Sequence, residues 1–253
     1  MKRVIPFLNS IRANVVAFLL FLAVWAFASL WFPAYVVPSP AAVFRHVGAY
    51  LNADFARHLG ATVARVALGF LIAAALGIPT AIAAALLRKS AYLTTLMSLF
   101  EVLPGMIVGI IFLLIFGIGD GVPVALVAVL TLPAIAINTS GAIAKKSQLL
   151  EDYLHSIGGT RRHVIRYIYL PLLAPALQSN LTMGVSLALK VVVLGEFIGS
   201  QDGIGYLLNV AKMYFNMPAV FFYLTVILLI MLLFQIAEQL LFALFFGKYF
   251  YPE

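Results

Sequence analysis

Uncharged, apolar stretches recur along this chain and are separated by short segments that carry nearly all of its charge. Six stretches lack Asp, Glu, Lys and Arg over at least 18 residues: 13–44, 66–87, 102–119, 121–144, 167–189 and 213–237. A bilayer crossing needs about 17–25 mostly apolar residues. These stretches are too long for barrel strands, and backbone groups in lipid must be paired internally, so the pattern predicts helices. We expect an all-α polytopic membrane protein, a single domain over 1–253 with six spans near 13–33, 61–87, 94–117, 122–144, 173–199 and 218–246.

Prolines predict where some of these helices begin or break. Ser39 can cap a short outer helix that has Pro40 at its first position. The apolar face of that helix would be formed by Val43, Val47, Tyr50 and Leu51. Farther along, Leu103-Pro104-Gly105 predicts a kink or break in the third span, since proline removes a helical hydrogen bond.

The start of the chain has some features of a secretory signal. Met1-Lys2-Arg3 precedes the first apolar stretch, and Ala26-Phe27-Ala28 fits a cleavage pattern. The apolar run is about 20 residues, however, whereas a signal core has about 7–15. We therefore expect the segment to be retained as the first span.

Composition and charge agree with a membrane protein and set its orientation. Hydrophobic residues make up 64% of the chain and charged residues 10%, which excludes an ordinary soluble domain. With the N-terminus inside, 11 of the 16 Lys and Arg residues fall on the inner side, which predicts cytoplasmic termini and a cytoplasmic 145–172 loop. The net charge of +7 is then explained by topology and lipid headgroups, and nucleic-acid binding is not expected.

Patterns that carry enzyme chemistry are missing from the sequence. The only Gly-Lys pair, Gly247-Lys248, is followed by Tyr249 and so does not form a phosphate-binding loop. The four histidines lack metal-ligand spacing and are expected in loops, there is no cysteine, and no Gly-x-Ser-x-Gly nucleophile turn occurs. We expect no enzyme activity, no metal and no cofactor in this chain.

One polar, basic island interrupts the apolar pattern at residues 149–171. Leu150, Leu154 and Ile157 recur on one helical face, Gly158-Gly159 ends that helix, and Leu170-Pro171 opens the next apolar run. With Asp152 as the acidic residue, this layout resembles the signature loop of the membrane-spanning subunits of binding-protein-dependent ABC importers. Tyr153 and Leu154 stand where the family usually has small residues. Without the resemblance, the same segment could be an amphipathic helix on the lipid surface.

Further motifs are similar to the nitrate/sulfonate/taurine/bicarbonate branch of these permeases, in the family's order, from about residue 12 to 246. They are the Pro-Ser-Pro entry at 38–40, Leu68-Gly69-Phe70, Gly77-Ile78-Pro79, Phe116-Gly117-Ile118-Gly119, Gly195-Glu196-Phe197-Ile198-Gly199 and Gly203-Ile204-Gly205-Tyr206. The resemblance implies a type I importer fold in a bacterial inner membrane. It implies a homodimer with two ATPase subunits that bind ATP, an external solute-binding protein, and a small oxyanion, sulfonate or vitamin-precursor solute. The ATPase-coupling residues would be Asp152, Tyr153, Leu154, Ile157 and Gly158.

Three ionisable residues are predicted at membrane depth: Glu101, Lys190 and Glu196. Such residues are costly in lipid and by default mark a functional path or a buried ion pair. Lys190 and Glu196 are about 120° apart around a helix and do not face each other. Lys190 therefore pairs with Glu101 or meets an anionic solute, while for Glu196, near the outer helix end, simple exposure to solvent is an alternative to the path or ion-pair role. Two alternative functions remain at this point, an ion- or proton-coupled secondary transporter that uses these residues as a relay and a purely structural membrane subunit.

Overall fold

The computed structural model describes residues 4–245, and every regular element in that range is a helix, which confirms the all-α prediction. In chain order they are α1 (Val4–Trp31), α2 (Pro40–Arg45), α3 (Val47–Tyr50), α4 (Ala53–Leu86), α5 (Ser90–Glu101), α6 (Gly105–Phe116), α7 (Gly121–Ala144), α8 (Gln148–Ser156), α9 (Arg161–Val164), a π-helical turn (Ile165–Tyr169), α10 (Leu170–Gly199), α11 (Ile204–Met213) and α12 (Met217–Phe245).

The six predicted spans correspond to five continuous helices and one bent pair. Helices α1, α4, α7, α10 and α12 are each long and apolar enough to cross a bilayer. The third predicted span, 94–117, is instead divided between α5 and α6, which meet at 85°. Each has 12 residues and so extends about 18 Å, less than the roughly 30 Å hydrocarbon core. The break falls at the predicted proline, Pro104.

The chain packs as two compact units. One consists of the described residues up to 62 and from 202 onward, and the other is Val63–Gln201. In the first unit, Trp25 is buried with Phe222 and Ile204. The Trp25 indole N–H donates to the Pro38 carbonyl at 2.8 Å. This bond places the short outer helix α2 against α1.

The predicted cap of the outer helix is present. The Ser39 hydroxyl accepts a hydrogen bond from the Ala42 N–H at 3.2 Å, with Pro40 in the first turn. Val43 of the predicted apolar face is fully buried, whereas Leu51 is 53% exposed. The short outer helix is therefore fixed by its cap and one buried valine, and Leu51 lies outside the apolar face.

Three of the histidines expected in loops lie in helices instead: His58 in α4, His155 in α8 and His163 in α9. His58 belongs to α4 and is buried, and its Nδ1 accepts the Gly203 N–H at 2.9 Å. The Thr62 hydroxyl, one turn later, accepts the Ile204 N–H at 2.9 Å. Both side chains cap α11, whose first N–H groups have no helical partner. The loop prediction failed for His58 because its partner lies 145 residues away.

The second unit is built around close packing of α10 against α7. An added Cβ at Gly195 would lie 2.5 Å from Pro123 Cα, and one at Gly184 would lie 2.6 Å from the Phe70 ring. Two small residues of α4, Ala73 and Ala81, are also fully buried. Small residues let helix backbones approach closely where lipid offers no hydrophobic driving force.

A hydrogen-bonded cluster joins the inner halves of α7 and α10. The Asn138 amide donates to Asn180 Oδ1 at 2.7 Å, and the Asn180 amide donates to Thr139 Oγ1 at 2.9 Å. Asn180 is almost fully buried. Asn138 and Thr139 therefore join α7 to α10 through hydrogen bonds, as polar side chains between membrane helices do.

Candidate functional site

The island at residues 149–171 begins with α8 and a sharp turn at two glycines. Gly158 has a φ of +82°, a left-handed conformation that side chains with a Cβ rarely adopt. The Gly159 N–H donates to the Leu154 carbonyl at 2.8 Å, the six-to-one bond that closes a Schellman motif. An added Cβ at Gly159 would lie 2.4 Å from that carbonyl oxygen. Both glycines are thus required for the chain to leave α8 in this direction.

Helix α8 presents an apolar surface to the outside of the chain. Tyr153 and Ile157 are 60% and 61% exposed, Leu149 is 83% exposed, and Leu150 is also exposed. Of the predicted coupling residues, Asp152 and Gly158 are exposed too, and Leu154 is half-buried. Exposed apolar patches of this kind mark protein–protein or membrane interaction sites, so this face of α8 is a candidate interaction surface.

The orientation of α8 is fixed by a lysine that precedes it. Lys146 Nζ lies 2.5 Å from Glu151 Oε2 and donates to the Tyr169 hydroxyl at 3.2 Å. The hydrogen bonds to Glu151 and then to Tyr169 raise the pKa of Lys146 above its usual 10.5. A raised pKa means that the contribution to stability is present below about pH 10.5 and is lost only above it. Lys146 therefore stays charged across the physiological range.

Replacing Lys146 with methionine should loosen α8 without unfolding the protein. A largely solvent-screened ion pair contributes about 1 kcal/mol. Amide hydrogen exchange in residues 148–156 should therefore quicken by roughly fivefold, equally at pH 7 and pH 9 after correction for intrinsic rates. Lys145→Met changes an exposed neighbour of the same type and is the control. Equal exchange in the two variants would show that Lys146 does not hold α8.

A second candidate site is an ion network in the Val63–Gln201 unit, in which a buried arginine on α4 pairs with a buried glutamate on α10 and with an exposed aspartate just before α7. The Arg65 guanidinium on α4 donates to Glu196 Oε1 on α10 at 2.9 Å and to Asp120 Oδ1, before α7, at 2.8 Å through Nε. Arg65 is 5% exposed and the Glu196 side chain is fully buried. The alternative that Glu196 is simply exposed to solvent is wrong, because close packing at Gly195 and Gly199 carries it into the core.

Lys190 and Glu101 are not brought together in the fold of the single chain. Both are exposed, and within residues 4–245 no ion pair joins them. Glu101 lies at the last turn of α5, at the break before α6. As their spacing in the sequence predicts, Lys190 and Glu196 lie on different faces of α10. Arg65 is not identified as a site residue from the sequence, because nothing near it in the chain signals its partners.

Among the described residues, no group of three or more histidine or acidic side chains is placed to hold a metal ion. The two candidate sites are the exposed apolar face of α8 and the ion network around Arg65.

Comparisons with known proteins decide the family. Residues 73–246 match the family described as the binding-protein-dependent transport system inner membrane component. The chain belongs to this family. The predicted ABC importer permease of the nitrate/sulfonate/taurine branch is thereby confirmed, and the chain is a multi-pass membrane protein. This is a family of transport permeases and not of enzymes.

Curated relatives align with most of the permease. It is 30% identical to the riboflavin transport system permease RibX of Chloroflexus aurantiacus, over 83% of this chain and 79% of that one. It is 25% identical to the formylaminopyrimidine transport permease ThiX of Halalkalibacterium halodurans, over 81% and 82%. A putative aliphatic sulfonates transport permease, SsuC of Bacillus subtilis, is 27% identical over 74% and 69%. The relatives thus carry chemically different solutes.

A solved structure shows the fold of the permease. A chain of the methionine ABC transporter MetNI, in inward-facing conformations, superposes with a TM-score of 0.60 at 19% identity, over 74% of this chain and 93% of that one. The type I importer permease fold is therefore present.

Proposed function

We propose that this permease is the membrane-spanning subunit of an ATP-driven importer in the bacterial inner membrane. It receives a small solute from an external solute-binding protein and works as a homodimer with two ABC ATPase subunits, which bind the ATP. The family is binding-protein-dependent by description, which supports both the external partner and the inner membrane. The permease forms the translocation path for the solute and binds no cofactor of its own.

The single observation that carries this proposal is the exposed apolar face of α8. Tyr153, Ile157 and Leu149 are each at least 60% exposed on a helix that is fixed at one end by Lys146 and at the other by the double glycine turn. A rigid helix with an apolar face in the basic, cytoplasmic loop is suited to transmit a push from an ATPase. Closure of the two ATPases then shifts the paired permeases between inward-open and outward-open states, as rigid bodies.

Exposed aromatic residues often dominate interfaces, so Tyr153→Ala should weaken capture of the ATPase by roughly 30-fold, corresponding to about 2 kcal/mol. The measurement is titration of the co-expressed Walker-type ATPase onto the purified permease in nanodiscs. Tyr214→Ala removes a tyrosine that is even more exposed, between α11 and α12, and should leave capture unchanged.

Two outcomes would contradict the proposal. If Tyr153→Ala and Tyr214→Ala bind the ATPase with the same affinity, α8 is not the docking helix. If solute uptake persists without any ATPase and follows an ion gradient, the permease is a secondary transporter.

A further inference from the structure

The exposed face of α10 is polar, although α10 spans the membrane. Gln178, Thr182, Ser186 and Lys190 recur every four residues, which keeps them within about 120° of one another around the helix. Ser179 lies within the same stripe. We call these five residues the α10 polar stripe. Its members are exposed or half-buried, while the opposite face of α10, with Asn180, Gly184 and Ala188, is buried.

The exposed face of α6, in the same unit, has the composition expected against lipid. On α6 the exposed side chains are all apolar and mostly aliphatic: Met106, Ile107, Ile110, Ile111, Leu114, Ile115 and Phe116. A lysine and several hydroxyls in lipid are costly, so polar residues of membrane helices face a water-filled cavity or another protein surface. The α10 polar stripe therefore does not face lipid.

Two adjoining grooves run along this stripe. One, of about 430 Å³, is lined by Pro175, Gln178, Ser179, Thr182, Met183 and Ser186. The other, of about 560 Å³, shares Pro175 and Ser179 and extends to Lys145 at the inner end of α7. The described residues that line the two grooves include this lysine and no acidic side chain. Lys190 lies about one helical turn beyond Ser186. One lysine therefore lies near each end of the two adjoining grooves, Lys145 at the inner end and Lys190 at the other.

We propose that the α10 polar stripe lines the solute path and that Lys190 makes this path selective for a small anion. An ammonium donates three hydrogen bonds and holds a positive charge, and the hydroxyls can replace water around anionic oxygens. The carboxylate nearest along the helix, Glu196, is buried on another face and is bonded to Arg65, so it does not neutralise Lys190. This inference rests on the proposed transport function and specifies its substrate class.

The test uses the absence of native cysteine from the chain. Single cysteines are placed on the stripe by Ser179→Cys, Thr182→Cys and Ser186→Cys, and on the apolar face of α6 by Ile111→Cys as the control. Each permease is assembled with its ATPase in nanodiscs. It is then treated with anionic sulfonatoethyl methanethiosulfonate or cationic trimethylammonioethyl methanethiosulfonate, and rates are normalised to those of a free thiol.

The stripe cysteines should react with both reagents, the Ile111→Cys control with neither. At Ser186→Cys the anionic reagent should be favoured by roughly tenfold, the effect of one nearby unit charge in a partly hydrated site. Adding Lys190→Met should remove the preference, and adding Lys190→Glu should reverse it.

Each failure has a separate meaning. If the stripe cysteines do not react, the stripe is buried in a dry protein contact and the path assignment is overturned. If they react with no preference, or with one that Lys190→Met leaves unchanged, anion selection by Lys190 is overturned while the path remains. Neither result affects binding of the ATPase to α8. The proposed transport function is tested separately, by titrating the ATPase onto the permease.

Discussion

Arg65→Met should lower the stability of the folded permease by about 3–5 kcal/mol. Breaking a buried ion pair by removing one partner leaves the other charge in the core, where it is poorly solvated. Glu196 is the charge left behind, since its side chain is fully buried and its Oε1 accepts from Arg65. Thermal unfolding followed by tryptophan fluorescence measures the change, with the buried Trp25 as a reporter.

Two further variants distinguish the effect of breaking the buried ion pair from the general effect of removing an arginine. Arg65→Met with Glu196→Gln should recover much of the lost stability, since the amide can be buried without a charge. Arg57 lies on the same helix and pairs with Asp54 in solvent at 3.8 Å. Arg57→Met should therefore lower the folding stability by less than about 1 kcal/mol. If Arg65→Met unfolds at the same temperature as Arg57→Met, the network does not stabilise the fold.

Substitution of the glycines after α8 should uncouple ATP hydrolysis from solute transport. Gly158→Val forces a β-branched residue into φ near +82°, and Gly159→Ala adds a Cβ at 2.4 Å from the Leu154 carbonyl oxygen. The backbone must shift in both cases, so α8 meets the ATPase in the wrong direction. We expect solute uptake per ATP hydrolysed to fall more than tenfold in proteoliposomes, because small misplacements of a coupling contact are costly.

The control is Gly60→Ala on α4, where an added Cβ meets nothing within 4 Å. This variant should insert into the membrane and transport solute as the wild-type permease does. The two glycine variants should still insert and fold, because the turn lies outside the spans. Normal uptake by Gly158→Val with its ATPase bound would show that the turn does not determine coupling.

Much of this fold could be predicted from the sequence, since its signals are local. Long uncharged runs predicted the helices, Ser39 and Pro40 predicted the outer cap, and Pro104 predicted the break between α5 and α6. Gly158 predicted the turn that ends α8. In each case the physical cause, backbone conformation or helix capping, acts within a few residues of its signal.

Only the tertiary structure decided which partners the charged residues have. Arg65 and Glu196 are 131 residues apart in the chain, and close helix packing brings them into one buried ion pair. The same packing turns Lys190 to the exposed face of α10, away from any ion pair with Glu101 within the described residues. Hydropathy sets where a helix lies along the chain, but its rotation about its own axis depends on how small residues let its neighbours approach. That rotation decides whether a charge in the membrane is paired or lines a path.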